Sequence, residues 1–245
     1  GTFFVGGAMI AVAAITTIVL IRESFDRSSD GARRAKKIPV EGAGSRWPII
    51  GALLMTAMMV LLANMSIEPI ITVYIGHLGV AFDDQAQIAG VVMACSALGS
   101  ILTAARLGAL ADRVGSWNVI IGCLVLTAIV MVPQAFVTQW WQLAVLRGLM
   151  GMTIAGLLPA IAKLIRQSVE DHDSGKILGY LQSAQFSGQV IGPLIGGQIG
   201  AHFGLHHVFL VTAALLVLCA AVNGWVRSGA GIQSSRFTKS DQPDH

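Results

Sequence analysis

The sequence predicts an all-α membrane protein with seven transmembrane helices. Of its 245 residues, 54% are hydrophobic and only 12% are charged, whereas soluble domains carry about 25% charged residues. One globular core cannot bury so much apolar surface. A bilayer crossing needs about 20 largely apolar residues, and seven stretches meet that requirement: 2–21, 48–75, 85–105, 118–137, 141–162, 177–200 and 207–226.

Each stretch is expected to be helical, because lipid offers no hydrogen-bond partner to a free backbone N–H or C=O group. Strands of a membrane barrel need only about 10 residues and alternate apolar with polar side chains. The longer, continuously apolar stretches of this chain do not fit that pattern.

Lysine and arginine give the orientation. All of them except Arg147 lie on the side of the predicted bundle that holds residues 22–46, and the opposite loops at 76–84, 138–140 and 201–206 contain none. The positive-inside rule makes the basic side the cytoplasm. The net charge of +3 therefore reflects membrane topology and does not indicate nucleic-acid binding.

The polar segments define the expected domains. A helix at residues 1–21 precedes a polar cytoplasmic linker at 22–46, a six-helix bundle spans 47–227, and residues 228–245 form a cytoplasmic tail without regular structure. An aromatic belt at the membrane interfaces is indicated by Trp47, Trp117, Trp140, Trp141 and Trp225. The three cysteines lie within apolar stretches and are interpreted as inert packing residues, so neither a disulfide nor a metal site is expected.

The first stretch resembles the last one. "TFFVGGAMIAVAAITTIVLIRE" and "VFLVTAALLVLCAAVNGWVR", which begins at Val208, share their length, a phenylalanine in an early position and a basic cytoplasmic end. This similarity suggests an internal repeat of six helices. The chain would then consist of one helix and one complete repeat, with five preceding helices missing.

Three motifs carry a resemblance to a known family. "GALADRVGSWNVI" follows the pattern G-x-L-a-D-r-x-G at Gly108, Leu110, Asp112, Arg113 and Gly115. "LAVLRGLMGMTIA" matches a fourth-helix pattern at Leu143, Arg147, Gly151 and Ala155. "GQVIGPLIGG" matches g-x-x-x-G-P-x-x-G-G at Gly188, Gly192, Pro193, Gly196 and Gly197. Together they resemble the major facilitator superfamily in its drug/proton antiporter branch.

The resemblance implies the C-terminal half of a twelve-helix transporter in the bacterial cytoplasmic membrane. Such a protein exports hydrophobic drugs in exchange for protons by alternating access, and it uses the proton gradient rather than a bound cofactor. Its N-terminal six-helix half would be the missing partner. A metabolite or sugar symporter of the same fold and a non-transporting half-bundle remain alternatives. No enzyme signature is present, so catalysis is not expected.

The glycine motif predicts a close helix contact. Gly188, Gly192, Gly196 and Gly200 are spaced four residues apart and share one helix face, which allows a neighbouring helix to approach closely. Pro193 removes one backbone hydrogen bond and is expected to bend this helix. The face is either static packing or a surface on which helices move during transport.

The cytoplasmic motif predicts a charged contact. Asp112 is expected near the start of a helix, where exposed N–H groups favour a carboxylate, and paired with Arg106 or Arg113. Gly108 and Gly115 are expected to permit a tight turn. The alternative is a solvated loop.

Glu68 and Arg147 are the two charges placed inside predicted spans, both in the outer half of the membrane. An ionisable group at that depth normally faces protein or a water-filled cavity. Burial opposes ionisation of the carboxylate and a nearby guanidinium favours it, so the pair is a candidate for proton coupling. A structural ion pair, or a Glu68 side chain that reaches the outer interface, is the alternative.

Polar and methionine side chains within the spans predict a substrate cavity. Its candidates are Asn64, Ser96, Met150, Gln182, Gln185 and Gln189. Methionine adapts to varied hydrophobic ligands, whereas the amides and the hydroxyl also serve as hydrogen-bonding contacts between helices. Both interpretations stay open from the sequence.

Overall fold

A computed structural model of the chain describes residues 46–169 and 171–240, together with residues 7, 11, 12, 15 and 16. The chain divides into two units, residues 1–37 and residues 38–245. The helix predicted at 1–21 lies outside the described residues apart from those isolated positions. The linker predicted at 22–46 lies outside them apart from Arg46.

The second unit is entirely helical over its described residues, which confirms the predicted fold class. Its helices are α1 (Arg46–Ile67), α2 (Ile71–His77), α3 (Phe82–Val114), α4 (Ser116–Gln134), α5 (Trp140–Ile154), α6 (Leu157–Ser168), α7 (Asp171–Phe203) and α8 (Leu205–Ser240). Two predicted spans are each divided between two helices, so these segments correspond to the six spans expected of the bundle.

The span predicted at 48–75 is broken by a turn at Glu68–Ile70, where the backbone N–H of Ile70 donates to the carbonyl of Ile67 at 3.1 Å. Pro69 causes this break, because proline has no N–H to donate and disfavours the helical conformation in the residue before it. The sequence prediction of one continuous helix is wrong here.

The span predicted at 141–162 is broken between α5 and α6, at Ala155 and Gly156. Pro159 explains this position, because its ring would clash with the carbonyl group of Ala155 four residues earlier and it donates no bond to that group. By contrast, α7 continues through Pro193 without interruption. The helix is thus not interrupted at Pro193, and the bend expected there stays a prediction.

Five of the described spans are long and apolar enough to cross a membrane: Trp47–Ile67, Phe82–Val114, Ser116–Gln134, Trp140–Ser168 and Leu205–Ser228. The helix α7, which contains the span predicted at 177–200, has 33 residues but is not among these five, in keeping with its many glycine and glutamine residues. Trp47, Trp117, Trp140 and Trp141 each occupy one of the first two positions of a helix, as expected of an interfacial belt.

The last helix extends further than the sequence suggested. α8 continues to Ser240, so the described part of the predicted tail at 228–245 is helical and the expected lack of regular structure is wrong there. The first proline after the span is Pro243, and glycine alone does not prevent a helix from continuing. Residues 241–245 lie outside the described part of the chain.

The bundle is organised around close helix pairs. α1 packs mainly against α7 and also against α8, α3 packs against α5, and α4 packs against α8 and α5. Their inward faces form one apolar core, with fully buried side chains that include Leu53, Ile67, Ile120, Leu143 and Phe209. Many apolar side chains on α3 and α7 stay exposed, as expected of surfaces that face lipid or another part of the protein.

Candidate functional site: a buried polar cluster and two glycine contacts

Arg147 is the largest fully buried side chain of the described bundle, with 1% of its surface exposed. It lies two turns into α5, and its Nη1 donates to the sulfur of Met150 one turn further along, at 4.0 Å. Its Nε and Nη2 atoms are buried without a hydrogen-bond partner. A buried polar group without a partner costs about 1–3 kcal/mol, and a charged group costs more. Two of the three guanidinium nitrogens of Arg147 are therefore buried without a hydrogen-bond partner among the described residues.

Glu68 lies in the turn between α1 and α2, close enough to Arg147 for its charge to act on the guanidinium. Its Oε2 atom is also buried without a partner. Among the described residues no ion pair within 4.0 Å joins the two side chains. The structure thus brings the two predicted charges near each other but not into direct contact.

Gln134 completes this cluster, although the sequence interpretation did not single it out. The side chain is fully buried at the end of α4. Its Nε2 donates to the carbonyl of Val130 at 3.2 Å and lies 3.8 Å from the sulfur of Met150, while its Oε1 has no partner. A glutamine near the end of the largely apolar span at 118–137, far from the other amide of that span at Asn118, was the signal that could have revealed it.

Tyr74 fixes the position of Gln134. Its hydroxyl donates to the backbone carbonyl of Gln134 at 2.9 Å, which joins α2 to the end of α4. The Tyr74 ring packs against Phe209 and His206 on α8, with ring centroids 5.1 and 6.1 Å away. Four spans therefore meet at the cluster. The span of α1 and α2 contributes Glu68 and Tyr74, α4 contributes Gln134, and α5 contributes Arg147. The aromatic side chains Phe209 and His206 come from α8.

Among the described residues, no hydrogen bond and no pocket joins the six predicted cavity residues, so their grouping into one site stays a prediction. Met150 is fully buried between Arg147 and Gln134 rather than lining a cavity. Asn64 on α1 and Ser96 on α3 are half-buried. On α7, Gln185 and Gln189 are half-buried while Gln182 is exposed. None of the six lines the groove of about 90 Å³ between α1 and α8, whose walls include Met55, Met59, Thr56 and Asn223.

The glycine motif makes the close contact that the sequence predicted. A Cβ atom at Gly192 would lie 2.8 Å from the carbonyl oxygen of Leu62 on α1, and Cβ atoms at Gly188 and Gly196 would overlap the carbonyl oxygens of Met58 and Ser66. The backbones of α1 and α7 therefore touch directly. Gly197 is not part of this contact, because nothing lies within 4 Å of the place its Cβ would occupy.

A second contact of the same kind joins α3 to α5. Cβ atoms at Gly99 and Gly151 would overlap the carbonyl oxygens of Gly148 and Ser96, respectively. The hydroxyl of Ser100 donates to the carbonyl of Gly151 at 2.9 Å, and that of Thr103 lies 3.0 Å from the carbonyl of Met152. The helices α3 and α5 are thus held together by direct backbone contacts and by side-chain hydrogen bonds between them.

The cytoplasmic motif is arranged differently from the prediction. Asp112 and Arg113 lie in the last turn of α3, because that helix continues to Val114 and ends only at Gly115. Gly115 has a φ of +90° and alone connects α3 to α4, whereas Gly108 lies within the helix. Asp112 is therefore not at a helix start, and the expected turn at Gly108 is absent.

Asp112 pairs with neither of the arginines that the sequence suggested. Its carboxylate accepts a hydrogen bond from the ammonium group of Lys163 on α6. A carboxylate near the C-terminal end of a helix is disfavoured by the backbone dipole, and a cation from another helix offsets that effect. The contact joins the C-terminal end of α3 to the middle of α6.

The described residues contain no group of three or more His, Cys, Asp or Glu side chains arranged to hold a metal ion. The candidate site therefore consists of the polar cluster and the helix contacts that position it.

Comparison with known proteins assigns the family. The Major Facilitator Superfamily model matches residues 53–243. The chain belongs to the major facilitator superfamily. It is 32% identical over 219 residues to a multidrug resistance protein MdtG of Dickeya zeae, which covers 89% of this chain and 53% of that protein. It is 33% identical over 223 residues to the MdtG protein of Citrobacter koseri, with 91% and 54% coverage.

Solved structures support the superfamily fold. A bacterial homologue of the human lysosomal transporter Spinster, in its inward-facing unoccupied conformation, aligns with a TM-score of 0.64 at 16% identity, covering 76% of this chain and 43% of that one. A POT peptide transporter in complex with sulfate aligns with a TM-score of 0.64 at 19% identity, covering 73% and 37%. The chain spans about half the length of the curated relatives it matches.

Proposed function

We propose that this major facilitator chain is the C-terminal half of a multidrug efflux transporter that exchanges hydrophobic drugs for protons by alternating access. The observation that carries the proposal is the similarity to MdtG multidrug resistance proteins over most of the chain. An N-terminal six-helix half is its partner in this proposal. The protein resides in the bacterial cytoplasmic membrane with its C-terminus in the cytoplasm.

The coupling group in this proposal is Glu68, assisted by Arg147. The side chain of Glu68 is half-buried and lies within electrostatic reach of Arg147 without being paired with it, which suits a group that carries a proton during the transport cycle. The unpartnered Oε2 of Glu68 and the unpartnered nitrogens of Arg147 support this assignment. The energy source is the proton gradient, and no bound cofactor is needed.

The two glycine contacts are proposed to hold helix pairs together while the bundle moves. Backbone contacts as close as those of Gly188 and Gly196 leave no room for independent side-chain repacking. Static packing within each pair is therefore favoured, and the motion of alternating access is assigned to movement between pairs.

The competing function is symport of a metabolite or sugar on the same fold. The two can be separated in proteoliposomes that contain the complete protein, an imposed proton gradient and a pH-sensitive dye. An antiporter couples uphill drug movement to proton movement in the opposite direction, whereas a symporter moves both the same way. Proton flux in the same direction as the substrate would overturn the antiport proposal. Absence of transport in a protein shown to be folded would favour the half-bundle alternative.

A further inference from the structure

The polar cluster contains buried donors and buried acceptors that have no hydrogen-bond partner. Arg147 offers the N–H groups of Nε and Nη2, while Gln134 and Glu68 offer the oxygens Oε1 and Oε2, and all four atoms are buried without a partner. Arg147 and Gln134 both place a nitrogen against the sulfur of Met150. Their polar ends thus converge on one point of the bundle.

Reorienting the Gln134 amide does not resolve the deficit. Its Nε2 already donates to the carbonyl of Val130 at 3.2 Å. Exchanging the amide oxygen and nitrogen would set two oxygens against each other and leave an N–H group unpaired. In either orientation one polar atom of Gln134 requires a partner from outside the described side chains.

The missing partner must both accept and donate hydrogen bonds. An anion would satisfy the Arg147 donors, but it would leave the Gln134 oxygen unpaired and would be repelled by an ionised Glu68. A cation would be repelled by Arg147. Water has the required chemistry, because a buried water typically bonds two to four otherwise unsatisfied polar groups.

We propose that a buried water site lies between Arg147, Gln134 and Glu68, with the thioether of Met150 as part of its wall. Gln134 is the positioning residue of this site, since it is fixed by Val130 and by the Tyr74 hydroxyl on its own backbone carbonyl. The site links the C-terminal ends of α1 and α4 to the interior of α5. It exists whether or not Glu68 is the proton-coupling group, because it follows from hydrogen bonding alone.

Radiolytic hydroxyl labelling of the complete protein in lipid nanodiscs tests this site. Radicals generated from bound water oxidise adjacent methionine to the sulfoxide, which mass spectrometry locates. Met150 is 1% exposed and Met131 is 0% exposed, so neither is reached from bulk solvent. Among the described hydrogen bonds, donors reach the sulfur of Met150 but not that of Met131. We expect oxidation of Met150 and not of Met131.

Variants separate the water site from general penetration of water. Gln134→Leu should abolish the labelling of Met150, because the water loses the Gln134 Oε1 acceptor that holds it next to the Met150 sulfur. The matched control Thr127→Val alters another fully buried polar residue of α4, whose hydroxyl already has partners in Cys123 and Thr153, and labelling of Met150 should persist. Gln134→Met, closer in shape to glutamine, replaces Gln134→Leu if the latter does not fold.

Three outcomes would overturn the proposal. They are an unlabelled Met150 in the unmodified protein, equal labelling of Met131 and Met150, and labelling of Met150 that survives the loss of the Gln134 amide in a folded variant. The first would show a dry cluster. The other two would show water that enters without this site.

Discussion

Asp112 on α3 accepts a hydrogen bond from Lys163 on α6, so the acidic residue of the cytoplasmic motif acts between helices rather than within its own turn. The two side chains are 67% and 36% exposed, respectively. An exposed ion pair contributes only about 0–1 kcal/mol to stability. We therefore expect the contact to position α6 against the end of α3 rather than to add much stability.

This contact predicts the effect of charge reversal. Asp112→Lys places two cations together and should lower efflux, while the free energy of unfolding changes by no more than about 1 kcal/mol. The exchange Asp112→Lys with Lys163→Asp should restore efflux. Asp83→Asn, at the exposed opposite end of α3, is the control and should have little effect. Failure of the exchanged pair to recover activity would mean that Asp112 acts through another partner.

Adjacent glycines on α7 provide a matched test of the close contact with α1. Gly196→Ala should force the helices apart and destabilise the protein by about 1–3 kcal/mol, as overpacking does. Gly197→Ala has open space for its methyl group and should stabilise the helix by up to about 1 kcal/mol. Thermal unfolding in detergent measures both changes. Similar melting temperatures for the two variants would show that the contact is not tight in solution.

The same contact predicts a functional effect at Gly192. Gly192→Leu should abolish efflux while membrane insertion is retained, because the added side chain meets the backbone of α1 at Leu62 and Ser66. Efflux assays in cells, together with quantification of the inserted protein, test this expectation. Normal efflux by the variant would make the glycine face incidental.

Glu68 is expected to be required for energy coupling. Glu68→Gln keeps the shape of the side chain but fixes it in a neutral state, so proton-driven uphill efflux should fall steeply while downhill exchange of drug persists. Glu68→Asp, which keeps the titratable group, is the matched variant and should retain part of the coupling. Undiminished uphill efflux by Glu68→Gln would transfer the coupling role to the N-terminal half.

Arg147 is expected to be required for energy coupling together with Glu68. Arg147→Ala removes the cation that interacts electrostatically with Glu68 and should lower uphill efflux, whereas Arg147→Lys keeps the charge and should retain more of it. Uphill efflux from vesicles, with quantification of the inserted protein, measures both variants. Undiminished uphill efflux by a folded Arg147→Ala protein would separate Arg147 from coupling.

The spans were predictable from the sequence, but their breaks were not. Apolar length locates the helices because each must cross the same hydrocarbon thickness. Prolines gave no such guide: the helix continues through Pro193 but is interrupted near Pro69 and Pro159. Each proline removes one backbone bond, yet only two of these three positions coincide with a break. The presence of a proline in a single sequence therefore does not tell whether the helix continues.

The same reasoning explains the partial prediction of the site. Glu68 and Arg147 stood out because charge is rare within a span, and the spacing of the α7 glycines placed them on one face before any neighbour was known. Gln134 was missed because its importance depends on Tyr74, Met150 and Arg147, which come from three other helices. Helical periodicity relates residues on one helix only.

The contact between α1 and α7 divides its sequence requirements unequally. At Met58, Leu62 and Ser66, α1 presents backbone carbonyls to the glycines, and every residue type supplies a carbonyl. On α7, positions 188, 192 and 196 have no room for a side chain. At this interface, α1 therefore accepts many residue types at positions 58, 62 and 66, whereas α7 accepts only glycine at its three positions. Saturation mutagenesis of the two helices should therefore give opposite tolerance profiles across one shared surface.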